Sequence, residues 1–185
     1  MNNLMLDVET LGVSTEAPLI SIGAVFFDPL TGECGDEFYK VITLSSALEN
    51  SLVDPRTLQW WMKQSDTARA VFNDPSAVDL CEALQEFSLF VEVCDNDKVQ
   101  VWGNGASFDN AILAAVYRKH AQKIPWQFRN DRDVRTIVEL AKCLKGFDAK
   151  ANFSIDAIEA HHALRDAKFQ VAYVSAAFRA LAGES

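Results

Sequence analysis

The chain has 185 residues, 49% of them apolar and 23% charged, with a net charge of −9. A chain of that length buries roughly 70% of its unfolded surface, so one domain builds its core without disulfide or metal staples. Ordinary apolar content excludes a disordered chain, no apolar run reaches the ~20 residues of a membrane helix, and the overall acidity excludes a protein that coats nucleic acid through bulk charge.

Residues 1–7 carry no basic segment ahead of their apolar stretch, so they do not form a secretory signal. Residues 4–8 read as a short buried strand, punctuated afterwards by Gly12 and Pro18. Residues 19–27 are rich in β-branched and aromatic side chains and predict a second strand. Asp28-Pro-Leu-Thr-Gly32 is turn chemistry, and residues 37–43 predict a third strand that closes a hairpin. Asp54 followed by Pro55 is a helix start, with the helix running to about residue 63. Over residues 79–94, Leu80, Leu84, Phe87, Val91 and Cys94 recur at spacings of 4, 3, 4 and 3, an amphipathic helix. Residues 99–102 predict a strand ended by Gly103-Asn104-Gly105, and helices follow over 108–120 and 134–144. The last helix, 166–181, repeats the same spacing through Ala167, Val171, Val174, Phe178 and Leu181. Strands first, then helices interleaved with short strands, indicate one α/β domain over 1–185 with a mixed sheet. Cys34, Cys81, Cys94 and Cys143 form no C-x-x-C pair and suit reduced thiols, hence a cytoplasmic protein.

Charge is uneven along the chain. Residues 1–116 carry a net −13, residues 117–150 a net +5, and residues 151–185 a net −1. The basic segment reads either as a solvated surface or as a track for a phosphate backbone.

Three acid-x-acid pairs occur: Asp7/Glu9, Asp95/Asp97 and Asp131/Asp133. Chance alone gives about 4 in a chain this acidic, so context must separate them. Asp95/Asp97 lies in a polar loop and Asp131/Asp133 among arginines. Only Asp7/Glu9 ends an apolar strand, where a carboxylate needs a reason to be. Residues two apart on a strand share a face, and two carboxylates there suit hard cations such as Mg²⁺. Asp109 follows a glycine-containing turn near a helix start, where it reads either as a capping aspartate or as a further ligand. His161 precedes Asp166 by five residues at the start of the last helix. A histidine of ordinary pKa can serve as a general base, and the adjacent His162 leaves open which of the two acts.

Together these residues resemble the DEDD superfamily of 3′→5′ exonucleases in its histidine-containing (DEDDh) branch. Asp7-x-Glu9, Asp109 in Asn-Gly-x-x-Phe-Asp, and His161-x-Ala-x-x-Asp166 appear in the family's order. The resemblance spans residues 4 to about 173, and its third spacing selects His161 over His162. More narrowly the chain is similar to the phage exonuclease-A and exodeoxyribonuclease-VIII-like subgroup and to a mycobacterial exoribonuclease-like domain. The supporting blocks are Asp7-Val-Glu-Thr-Leu-Gly12, Ile20-Ser-Ile-Gly-Ala-Val25, Thr57-Leu-Gln-Trp-Trp61, Trp102-Gly-Asn-Gly105 and Arg129-Asn-Asp-Arg-Asp-Val-Arg-Thr136.

The resemblance implies a ribonuclease-H-like fold with a mixed five-stranded sheet flanked by helices. It implies two Mg²⁺ or Mn²⁺ ions held by Asp7, Glu9, Asp109 and Asp166, with His161 taking the proton of the attacking water. The product is then a nucleoside 5′-monophosphate from a single-stranded or 3′-overhanging DNA or RNA end, with DNA slightly favoured and no membrane partner. Thr10, Leu11 and Gly12 are expected at the terminal nucleotide, with Asn104, Phe108 and Trp61 as further substrate contacts. Phe108 reads equally as helix-start packing. Trp60 and Trp61 cannot both face the core, and an exposed tryptophan there would suit a homodimer. Arg129, Arg132 and Arg135 are candidate phosphate contacts, and Asn130 either contacts substrate or holds its loop.

Overall fold

Strand β1 (Asn3–Thr10) is the middle strand of a five-stranded sheet, and its alternating side chains supply both faces. The structure is a computed structural model that describes residues 1–94, 98–153 and 161–183. Strand β2 (Leu19–Phe27) pairs antiparallel with β1, and β3 (Cys34–Val41) pairs antiparallel with β2. The connecting turn is closed by Asp28, whose Oδ1 accepts from the N–H groups of Leu30 and Thr31 at 2.9 Å. Three short helices follow: α1 (Leu44–Leu48), α2 (Pro55–Trp61) and α3 (Asp66–Arg69). Asp54 caps α2 as the sequence predicts, accepting from the Arg56 N–H at 2.8 Å. Helix α4 (Leu80–Glu92), strand β4 (Gln100–Gly103), helix α5 (Asp109–Lys119), strand β5 (Asp131–Asp133) and helices α6 (Val134–Lys145) and α7 (Ala163–Ala182) complete the chain. Strands β4 and β5 run parallel to β1, giving the order β3-β2-β1-β4-β5. This is the expected mixed five-stranded α/β sheet flanked by helices.

Each sheet face has its own core. Leu4, Leu6 and Val8 of β1 pack with α4 and α5 residues such as Leu84, Phe87 and Ile112. Met5 of β1 packs on the other face with α6 and α7 residues such as Val134, Val171 and Val174. By strand alternation Asp7 and Glu9 share the Met5 face, beneath α7. Gly23 of β2 stands opposite Asp7. A Cβ there would lie 2.1 Å from the Leu164 nitrogen, so only glycine lets the first turn of α7 rest on the sheet beside Asp7.

Some expected boundaries shift. Strand β1 extends two residues beyond the expected end at residue 8, so Glu9 and Thr10 are strand residues, and β3 starts earlier and stops at Val41. Strand β5 was not predicted from the residues themselves. Asp-Arg-Asp has no apolar alternation, and it is a strand only because β4 offers its edge. Asp109 is the first residue of α5 rather than its cap, with Phe108 in the cap position and no side-chain cap bond. The Asp95/Asp97 pair lies outside the described residues. Among the described residues, no helix is long and apolar enough to cross a membrane.

Candidate active site

Parallel strands in an open sheet present a crevice at their carboxyl ends, and β1, β4 and β5 all end on the same side. Asp7 and Glu9 stand at the end of β1. Asp109 opens the helix that follows β4, and its Oδ1 and Oδ2 each accept at 3.2 Å, from the N–H groups of Val8 and Asn104. These bonds tie the second motif to the first across 101 residues of chain. Gly103 makes that turn possible, because a Cβ there would meet the Asn110 Oδ1 at 2.4 Å. Asp166 reaches the crevice from the first turn of α7, its Oδ2 accepting from the His161 N–H at 3.0 Å. His161 sits in the left-handed region, with φ 68°, just before the helix. Glu9, His161 and Asp166 bring ligand atoms within 4.8 Å of one another.

Four carboxyl groups thus converge, and the electrostatics record it. Burial holds Asp7 well above the usual carboxylate range, and the charges of Asp109, Glu9 and Asp166 push the same way. Only a hydrogen bond from Gln170 opposes them there: its Nε2 donates to Asp7 Oδ1 at 2.7 Å. Burial, then Asp166 and Asp109, push Glu9 up to about 8. Burial raises Asp109 to about 7 against the N–H groups of Val8 and Asn104, with the positive charge of Arg135 a smaller opposing influence. Burial also raises Asp166. Buried carboxylates that repel one another are stabilised by a cation between them, and an all-oxygen set of this kind suits hard divalent ions.

The crevice opens into a cleft of about 490 Å³ lined by Glu9, Thr10, Gly12, Val13, Trp60, Trp61 and Phe108 among others. Thr10 and Gly12 are there. Leu11 is not: it is buried in the core, its N–H donates to the Pro18 carbonyl, and its carbonyl accepts from Asp54. Trp61 forms the cleft's inner wall but is only 1% exposed, and its Nε1 donates to the Thr10 carbonyl at 2.9 Å. Trp60 is the exposed member of the pair, with its ring edge-on to His161 at 4.6 Å between centroids. The two tryptophans therefore divide as the sequence requires, one buried and one exposed, with the exposed ring on Trp60. Phe108 packs partly on the core and also lines the cleft. His162 faces away from the carboxylates, stacked on Tyr39 at 4.0 Å.

The basic segment divides. Arg135 lies against the Gly105 turn. Arg129 and Asn130 precede β5 and so stand at its opposite end, Arg129 exposed and Asn130 buried in its turn. Arg132 folds back on the carbonyls of Arg129 and Asp131. Gln170 was missed from the sequence, although it lies one helical turn after Asp166 and so on the same face of α7.

Comparison with known proteins agrees with this arrangement. The model of the 3′-5′ exoribonuclease Rv2179c-like domain matches residues 2–178. The exodeoxyribonuclease of Enterobacteria phage T4 is 24% identical over 206 residues, covering 97% of this chain and 90% of the phage protein. Among solved structures, cell-death related nuclease 4 superposes with a TM-score of 0.70 at 13% identity over 96% of this chain and 63% of its own. S. pombe Pop2p in its Mg²⁺ and Mn²⁺ bound form gives 0.65 at 12% over 99% and 84%. E. coli exonuclease I with a dT13 oligonucleotide gives 0.66 at 13% over 96% of this chain, which spans only 40% of that larger protein. At these identities the solved structures speak for the fold, and the family model speaks for the activity. With its three motifs gathered at one crevice, the chain belongs to the 3′-5′ exoribonuclease Rv2179c-like family and is a 3′-5′ exonuclease.

Proposed function

We propose that Asp7, Glu9, Asp109 and Asp166 hold two Mg²⁺ or Mn²⁺ ions and that the protein trims single-stranded or overhanging 3′ ends to nucleoside 5′-monophosphates. The observation that carries this reading is the convergence of four carboxyl groups from β1, α5 and α7, two of them buried and two half-buried, each raised above its ordinary range. Such a cluster is costly alone, and its carboxylate oxygens would hold hard divalent cations. Bound there, the ions would supply Lewis-acid charge for the displacement at the phosphate. The chain's own groups do the rest. Trp60, Phe108, Thr10 and Gly12 wall the terminal nucleotide. His161, fixed by its N–H bond to Asp166, takes the proton from the attacking water. Gln170 keeps Asp7 turned toward the crevice.

DNA is the favoured substrate. The T4 relative, matched over 90% of its length, bears the name exodeoxyribonuclease. The family description names RNA, and the choice rests on whether a terminal 2′-hydroxyl is accepted. The test is a gel assay on 5′-labelled DNA and RNA of one sequence with Mg²⁺, Mn²⁺ or EDTA, and Asp7→Asn as control. A metal-dependent ladder shortening from the 3′ end, faster on DNA and absent in the variant, is expected. Faster RNA cleavage would reverse the substrate assignment, and metal-independent cleavage would overturn the mechanism.

A further inference from the structure

Phe128 is 80% exposed, although phenylalanine is among the side chains most often buried. It stands on the turn before β5 and lines a separate cleft of about 260 Å³ with Thr15, Ala106, Arg118, Ile124 and Trp126 among others. Ala106 belongs to the turn that carries Asn104 and leads to Asp109, and Thr15 lies in the loop that carries Gly12. The cleft therefore runs along α5 from the crevice end, at Ala106 and Asn110, to the far end, where Arg118 and Phe128 stand.

The acids beside it point inward. Asp131 Oδ1 accepts from Trp126 Nε1 and from Asn110 Nδ2, both at 2.8 Å. Asp133 Oδ2 accepts from the Ala106 N–H at 2.9 Å. What the cleft offers outward is an aromatic ring and the guanidinium of Arg118, within the segment 117–150 that carries a net +5. The preceding 116 residues carry a net −13, so the chain's excess of basic residues is concentrated in the segment that carries this cleft.

We infer that this cleft is a second nucleotide subsite. It takes single-stranded nucleic acid on the 5′ side of the scissile phosphate, with a base stacked on Phe128 and a phosphate against Arg118. An aromatic platform with a flanking cation is how single strands are held without reading their sequence. The inference rests on the exonuclease reading and adds a length requirement to it: strands long enough to reach Phe128 bind better than those that end at the crevice.

The experiment is fluorescence anisotropy in EDTA with oligo-dT of 2 to 12 nucleotides, on wild type, Phe128→Ala, Phe128→Tyr and Arg118→Ala, beside degradation rates in Mn²⁺. Phe128 packs little, so its truncation leaves the fold intact, which circular dichroism checks. Wild-type affinity is expected to climb with length. Phe128→Ala should remove about tenfold of that gain, and Phe128→Tyr should restore it. Arg118→Ala should lower the salt slope by about 1. The same length dependence in Phe128→Ala as in wild type overturns the inference while leaving the exonuclease reading intact. A wild type that neither binds nor degrades oligonucleotides overturns both. A change of oligomeric state in Phe128→Ala with an unaltered length profile makes the surface a protein contact and overturns the inference.

Discussion

Two acid-x-acid pairs sit on strands of the same sheet and meet opposite fates. Asp131 and Asp133 on β5 are surrounded by donors: Asn110 and Trp126 serve the first, Thr136 and Ala106 the second. Burial by itself would raise Asp133, yet the Thr136 and Ala106 N–H groups hold it below the ordinary range. Asp7 and Glu9 on β1 have the same spacing and face other acids, with one amide donor, Gln170, for Asp7. Spacing therefore does not distinguish a structural pair from a metal-binding one. The surroundings do: the β5 carboxylates are served by N–H donors and an arginine, whereas Asp7 and Glu9 are pressed by the charges of neighbouring acids, a setting that suits a cation.

The contrast can be broken most sharply at Asp7. Asp7→Asn is expected to cut turnover by about 10³-fold or more, because a charged ligand is lost, while raising the melting temperature of the metal-free protein at pH 8. Steady-state rates and thermal melts in EDTA read the two effects, and a variant that lost both activity and stability would erase the distinction. His161→Ala should cost about 10²–10⁴ in rate with Mn²⁺ affinity by calorimetry little changed. Normal turnover there, with loss in His162→Ala instead, would reassign the base. Gln170→Leu keeps the volume and removes the donor. It should weaken Mn²⁺ binding about 10–100-fold, and an unchanged affinity would make Gln170 a packing residue.

The pH dependence sharpens the same comparison. The crevice carboxyls titrate higher in the folded state than in the unfolded chain, so their stabilising contribution is complete below about pH 4 and lost as pH rises through about 7 to 8. Metal-free melting temperature should therefore fall by roughly 5–10 °C between pH 5 and pH 8.5 and recover with Mn²⁺. A flat profile would mean the carboxyls do not repel one another. The smallest effect belongs to the β5 pair. Asp133→Ala removes the cap of α6, at about 1 kcal/mol or roughly 2–4 °C of melting temperature, and leaves Mn²⁺ affinity unaltered.

Much of this was readable from the chain. The periodic helices α4 and α7, the β2–β3 hairpin and the Asp54-Pro55 start of α2 appear where their patterns place them, because local propensity and burial agree there. The four acids and His161 were recognisable as motifs, and the structure brings their three segments to one crevice. Strand β5 was not readable, since its three residues have no apolar pattern and depend on the β4 edge. Leu11 was expected at the terminal nucleotide from the family resemblance, as part of the run that follows the first motif. The register irregularity between Glu9 and Thr10 and the bonds to Pro18 and Asp54 accompany its burial in the core. Trp60 and Trp61 could be told apart in principle but not assigned, because helix geometry says that adjacent rings diverge without saying which way is in.

By itself the sequence determined the α/β class, the amphipathic helices and the set of residues able to do metal-dependent hydrolysis, since these follow from periodicity and from chemistry carried on single side chains. Tertiary structure alone decided which acids are pressed by like charges, which tryptophan is exposed, and that Gln170 holds Asp7. Those outcomes depend on neighbours from other elements, up to 163 residues away in the chain for Gln170 and Asp7, which no local pattern encodes.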